Sequence, residues 1–132
     1  AILRDEGGAL RAFANVCRHR GHSLLCGEGR AQALVCPYHG WSYRLDGTLR
    51  AAPRTQQEPG FDRGSIRLQP LAVDRWGPLV FAHAGERPAQ SLVDLLSPLP
   101  EHVRRFGVDL ESFRFGRRTE HRMRCNWKVY MD

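Results

Sequence analysis

The chain has 132 residues and a hydrophobic share of 42%, which is the size of one domain with a real core and lies above the disordered range. Its formal charge of +6 comes from 20 Lys and Arg against 14 Asp and Glu, with Lys128 the sole lysine. The arginines are scattered among acidic residues and form no basic stripe, which gives nucleic acid little support. No apolar run nears the roughly 20 residues that span a bilayer, so a membrane role is not expected. The opening AILRDEGG does not read as an export signal; it resembles the middle of a strand, as though sequence preceded it. The expected setting is the cytoplasm, where clustered Cys and His point to metal rather than to disulfides.

In chain order, ALRAFANV alternates, with Leu10, Ala12, Ala14 and Val16 on one face of an extended segment. Residues 17–41, CRHRGHSLLCGEGRAQALVCPYHGW, hold three of the four cysteines and three of the six histidines. ALVC is a strand candidate. WSYRLDGTLR reads as a hairpin in which Trp41, Tyr43 and Leu45 alternate and Asp46-Gly47 supplies a type I′ turn. Pro53, Pro59, Gly60 and Gly64 mark a loop, and SIRLQPLAV and GPLVFAH are further strands. After Pro88 the spacing turns helical, with Leu92, Leu95 and Leu96 on one face, Pro100 placed for a second short helix and Gly107 for its stop. FRFGRRTEHRMRC alternates again, with Thr119, His121, Met123 and Cys125 on one side of an expected strand, and Asn126 is placed to cap a helix from Trp127. No internal repeat is visible. The expected units are residues 1–88, a connecting helical and strand segment at 89–124, and the start of a further domain at 125–132.

Within residues 17–41, C-R-H at 17–19 and C-P-Y-H at 36–39 each pair one thiolate with one imidazole, sixteen residues apart. Two thiolates and two imidazoles suit zinc, copper or iron–sulfur chemistry. Zinc fingers usually put two Cys on one knuckle and two His on the other, whereas here each loop carries one of each. That order suits a binuclear centre with unlike ends, one metal taking Cys17 and Cys36 and the other His19 and His39. This is the donor set of a Rieske [2Fe–2S] cluster. Exchanging two thiolates for neutral imidazoles removes two negative charges and raises the potential above that of an all-cysteine cluster.

With these residues the chain resembles the Rieske domain of ring-hydroxylating oxygenase large subunits. The resemblance runs through ALRAFANVCRHRG, CPYHGW, the W-S-Y-R-L-D-G hairpin and Pro53, and resumes at C-N-W-K, 125–128, which looks like the opening of the catalytic domain. It implies a mostly β fold of small antiparallel sheets carrying two cluster loops, with a short helical segment near the C-terminus. It also implies that Cys17, His19, Cys36 and His39 bind the cluster. A ferredoxin or flavin reductase would supply electrons, and a mononuclear Fe(II) in the catalytic domain would activate O2 within a homotrimer.

That iron's ligands lie in the family beyond C-N-W-K, and Asp132 matches an acidic position ahead of them, so no catalytic residue is expected in this chain and it alone is not expected to hydroxylate. Mono- and dioxygenases of aromatic hydrocarbon catabolism, aromatic acids and choline-like amines all remain open. A stand-alone Rieske ferredoxin is the alternative, although residues 91–132 would then be surplus; a zinc-binding module is disfavoured. Cys26 and Cys125 read as free thiols filling small apolar spaces. His22, His83, His102 and His121 lack partners at ligand spacing. Arg18 and Arg20 read as loop surface or as a basic rim for an acidic donor.

Trp41 stands where respiratory Rieske proteins have a serine that donates to a cluster sulfur. A redox titration is therefore expected to give a midpoint near the low end of the Rieske range, about −150 mV rather than about +300 mV. A clearly positive midpoint would overturn this expectation of a low potential.

Overall fold

The computed structural model describes residues 1–131; the reading of Asp132 lies outside the described residues. Two antiparallel sheets make up the body. The first has four strands in the order β1 (Ile2–Arg4), β2 (Leu10–Phe13), β6 (Pro70–Trp76) and β7 (Leu79–His83). The second holds β3 (Leu34–Val35), β4 (Ser42–Tyr43) and β5 (Leu49–Ala51) in that order. Three short helices follow: α1 (Leu92–Leu96), α2 (Leu99–Arg105) and α3 (Trp127–Met131).

The core lies between the sheets and under the motif, joining Phe13, Leu24, Leu34, Tyr43, Leu49 and Leu68 to the two motif cysteines. Segment 66–69 ties the sheets together. Its Gln69 carbonyl accepts from the Ala14 N–H at the end of β2, while Ile66 and Leu68 exchange backbone hydrogen bonds with Leu49 and Gly47 at the second sheet. Leu68, almost wholly buried, is driven into the gap by the same step.

The hairpin is present, but its turn is of another kind. The Gly47 N–H donates to the Arg44 carbonyl, and of the central pair only Gly47 has positive φ (87°). A type I′ turn needs positive φ at both residues, so this is a longer loop closed by a left-handed glycine. Asp46 Oδ1 accepts from the Thr48 N–H at 2.8 Å and so prefers the geometry found. On β2, Ala12 and Phe13 are both buried and Val16 is exposed, because the strand is covered on both faces and ends before the motif.

The helices appear as expected, Ser91 capping α1 and the Asn126 side chain accepting from the Lys128 N–H ahead of α3. The strand expected over 119–125 does not form among the described residues: alternation sets a face, but a strand also needs a hydrogen-bonding neighbour, and none lies alongside. Cys26 and Cys125 are free but exposed, so they do not fill apolar spaces.

A Cβ at Gly47 would lie 2.5 Å from Phe13 Cε1, in a backbone conformation that L-residues avoid. Gly47→Ala is expected to cost about 2–4 kcal/mol of stability, measured by urea unfolding; an unchanged midpoint would mean that the Phe13 ring does not hold this turn.

Candidate metal centre

The two motif loops have the same backbone. In the first, the Cys17 N–H donates to the His22 carbonyl at 2.8 Å and the Gly21 N–H donates back to Cys17 at 2.9 Å. In the second, Cys36 pairs with Trp41 at 2.8 Å and Gly40 with Cys36 at 3.0 Å. Both glycines are left-handed, with φ of 72° and 71°. The residues outside pair as well, Val16 with Ser23 and Val35 with Ser42. Each loop is thus the tip of a hairpin with the sequence V-C-x-x-x-G-x-S, at 16–23 and again at 35–42. This short internal repeat was legible in the sequence, although no repeat was expected. The histidine stands two residues after the cysteine in one copy and three in the other, so the copies differ where the donors differ.

The tips grow from different sheets, the first beyond β2 and the second between β3 and β4, and they meet at one end of the molecule. Cys17 and Cys36 are each only 2% exposed, whereas His19 is exposed and His39 half-buried. The imidazoles meet edge to face with centroids 4.7 Å apart. Burial and the neighbouring His19, Arg20 and Arg54 lower the pKa of His39, which favours the neutral ring that a metal binds.

Tyr43 connects the loops, and sequence reading had assigned it only to a strand face. Its fully buried hydroxyl lies 3.3 Å from Cys17 Sγ and accepts from the Arg18 N–H at 2.9 Å. Burial first, and then the hydrogen bond with Cys17, raises its pKa far above the usual tyrosine value, so the phenol keeps its proton. With the oxygen already accepting from Arg18, that proton is free to donate to a thiolate at Cys17. The signal for this role was the repeat, since Leu24 stands at the matching place beyond the first loop. Asn15 braces the first loop, its side chain bonding the Leu25 N–H and carbonyl at 2.9 and 2.8 Å.

A cleft of about 700 Å³ opens beside the histidines, walled in part by Arg20, Tyr38, Trp41, Arg54 and Glu58. Arg20 therefore belongs to this rim, while Arg18 lines a separate depression near Arg67 and Glu86. His83 lies on β7, His102 on α2 and His121 in an irregular segment, and His22 bonds the Ser23 carbonyl at 2.7 Å.

Residues 1–73 match the family described as the Rieske [2Fe-2S] domain. The chain belongs to this family. Over 135 aligned residues it is 38% identical to chloroplastic choline monooxygenase of Beta vulgaris, covering 99% of this chain and 30% of that protein. The chain therefore spans under a third of that relative's length. Among solved structures, the quaternary ammonium Rieske monooxygenase CntA in complex with gamma-butyrobetaine superposes with a TM-score of 0.79 at 34% identity, over 98% of this chain and 37% of that one. Naphthalene 1,2-dioxygenase from Rhodococcus gives a TM-score of 0.67 at 32% identity, over 77% and 24%.

The donor set of this Rieske domain fits a [2Fe–2S] cluster. Among the described residues, no three His, Cys, Asp or Glu converge on one metal position. A lone zinc would want three or four. Two thiols on one side and two imidazoles on the other are what a centre with two ligands per iron could use.

Hydrogen bonds to the ligand sulfurs tune a cluster's potential. Tyr43→Phe keeps the ring and removes one donor, so the cluster is expected to remain and its midpoint to fall in a redox titration. Stability should drop by about 1 kcal/mol because the Arg18 N–H loses its acceptor. An unchanged midpoint would remove Tyr43 from the set of groups acting on the centre.

Proposed function

We propose that this chain is the electron-carrying part of an oxygenase large subunit, with Cys17 and Cys36 holding one iron of the cluster and His19 and His39 the other. The observation that carries the reading is the convergence of two hairpin tips with buried thiols inside and imidazoles facing out. Bound there, a [2Fe–2S] cluster supplies a one-electron carrier. The chain contributes a dry thiolate end braced by Tyr43 and an imidazole end that opens on the cleft, where an electron could pass to or from a partner. Arg20 and Arg54 give that rim a basic side, suited to an acidic surface on a donating ferredoxin or flavin reductase. All four cysteines are free, which suits a reducing compartment such as the cytoplasm. No described helix is long and apolar enough to cross a membrane.

We assign residues 1–88 to the cluster domain, 89–124 to a connecting segment and 125–132 to the start of a catalytic domain. Two facts support this over a stand-alone ferredoxin: CntA superposes on 98% of the chain, and Phe115, Trp127, Val129 and Tyr130 stand exposed as if for a larger body. That larger body would carry the mononuclear iron and form the trimer. For substrate, the identity and coverage favour a quaternary amine over an aromatic hydrocarbon.

Reconstituted with iron and sulfide and then reduced, the protein is expected to show an EPR signal with average g below 2, and Cys36→Ser to abolish it. Bound zinc with no such signal would overturn the assignment. The full-length protein, supplied with a reductase, should consume oxygen with a choline-like amine and not with naphthalene.

A further inference from the structure

Segment 53–55 forms part of the cleft wall, and its backbone is unusual at one place. Eight glycines have positive φ among the described residues, and Arg54, at 66°, is the one other described residue that does. That conformation presses the Cβ of an L-residue toward the following carbonyl, which glycine avoids. Turn geometry alone favours glycine or asparagine there. The surroundings hold the bend in place. Ala52 is packed in the core, and Pro53 lies against the second tip, its Cγ 3.7 Å from where a Cβ on Gly40 would stand. Thr55 Oγ1 donates to the Ala52 carbonyl at 2.7 Å.

Strain that a structure holds in this way collects at functional sites. Arg54 lines the cleft together with His19 and His39. Its charge is felt there: burial, His19, Arg20 and Arg54, in that order, disfavour a proton on His39. A positive charge that opposes a proton at the imidazole end favours an electron there, for the same Coulombic reason. Reduction adds one negative charge to a [2Fe–2S] centre, and net charge is among the quantities that set its potential.

We propose that Arg54 raises the midpoint potential of the cluster, its fixed backbone keeping the guanidinium on the imidazole side of the centre. The inference rests on the ligand assignment above. Because the residue is exposed, solvent and salt screen its charge, and the expected effect is roughly two- to fivefold in the equilibrium constant for taking up an electron. At about 59 mV per tenfold for one electron, removing the charge should lower the midpoint by roughly 20–40 mV.

The test is a redox titration of the protein carrying its cluster, with no partner present, at one pH and low ionic strength. Arg54→Asn tolerates the left-handed backbone and removes the charge, so its midpoint should fall by that amount. Raising the salt should shrink the gap. Arg54→Lys should hold the wild-type midpoint. Arg54→Gly removes both charge and strain, so it should titrate like Arg54→Asn and need at least as much urea to unfold as the wild type. It keeps the measurement open if the asparagine variant folds poorly. A wild-type midpoint in both uncharged variants would overturn the inference, and so would a lysine variant whose midpoint falls with theirs. Weaker binding of an acidic donor with the midpoint unmoved would assign Arg54 to docking alone and also count against it. If the wild type takes up no [2Fe–2S] cluster, the ligand assignment fails and takes this inference with it.

Discussion

The tip depends on one buried hydroxyl. Two hairpins, grown from two different sheets, must end at a fixed separation, and Tyr43 is the side chain that belongs to one and is bonded to the other. Its ring is part of the core, so the spacing of the loops is set by packing, which is stiff, rather than by the loops, which are not. Because the phenol stays protonated, it offers a donor at the buried sulfur and no negative charge beside it.

The interior and the rim of this site obey different rules. Inside, Cys17 and Cys36 are packed with Leu34 and Leu68, where an unpaired charge would be costly and each polar contact counts for more. Outside, the imidazoles sit among aromatic faces and arginines around an open cleft. The division follows from the side chains themselves. A thiol packs like a small apolar group, and an imidazole carries a polar edge that gains from solvent or a partner.

Much of this could be read without coordinates, for reasons that differ from place to place. The four candidate ligands stood out because few residue types bind metal and their order Cys, His, Cys, His carries information that composition lacks. The strands around them were legible from alternation. The turn at Asp46-Gly47 was misjudged because a favoured dipeptide was read without its neighbours, and Thr48 draws Asp46 into another geometry. The strand expected over 119–125 failed because alternation cannot say whether a partner lies alongside. Tyr43 hid because it acts on a residue of the other loop, which a linear pattern does not encode. Only the V-C-x-x-x-G-x-S repeat could have revealed that positions 24 and 43 correspond and carry different side chains.

The clasp formed by segment 66–69 has a consequence for how the protein is made. Synthesis runs from the N-terminus, so both hairpin tips leave the ribosome well before the residues that lock their sheets together. Until Gln69 meets Ala14 and Leu68 enters its gap, the core around the thiols is incomplete, and contacts this distant in sequence close late. Biosynthesis thus gives iron and sulfide an interval in which the cysteines are made but not yet enclosed, and its length is the time needed to translate and dock about thirty more residues.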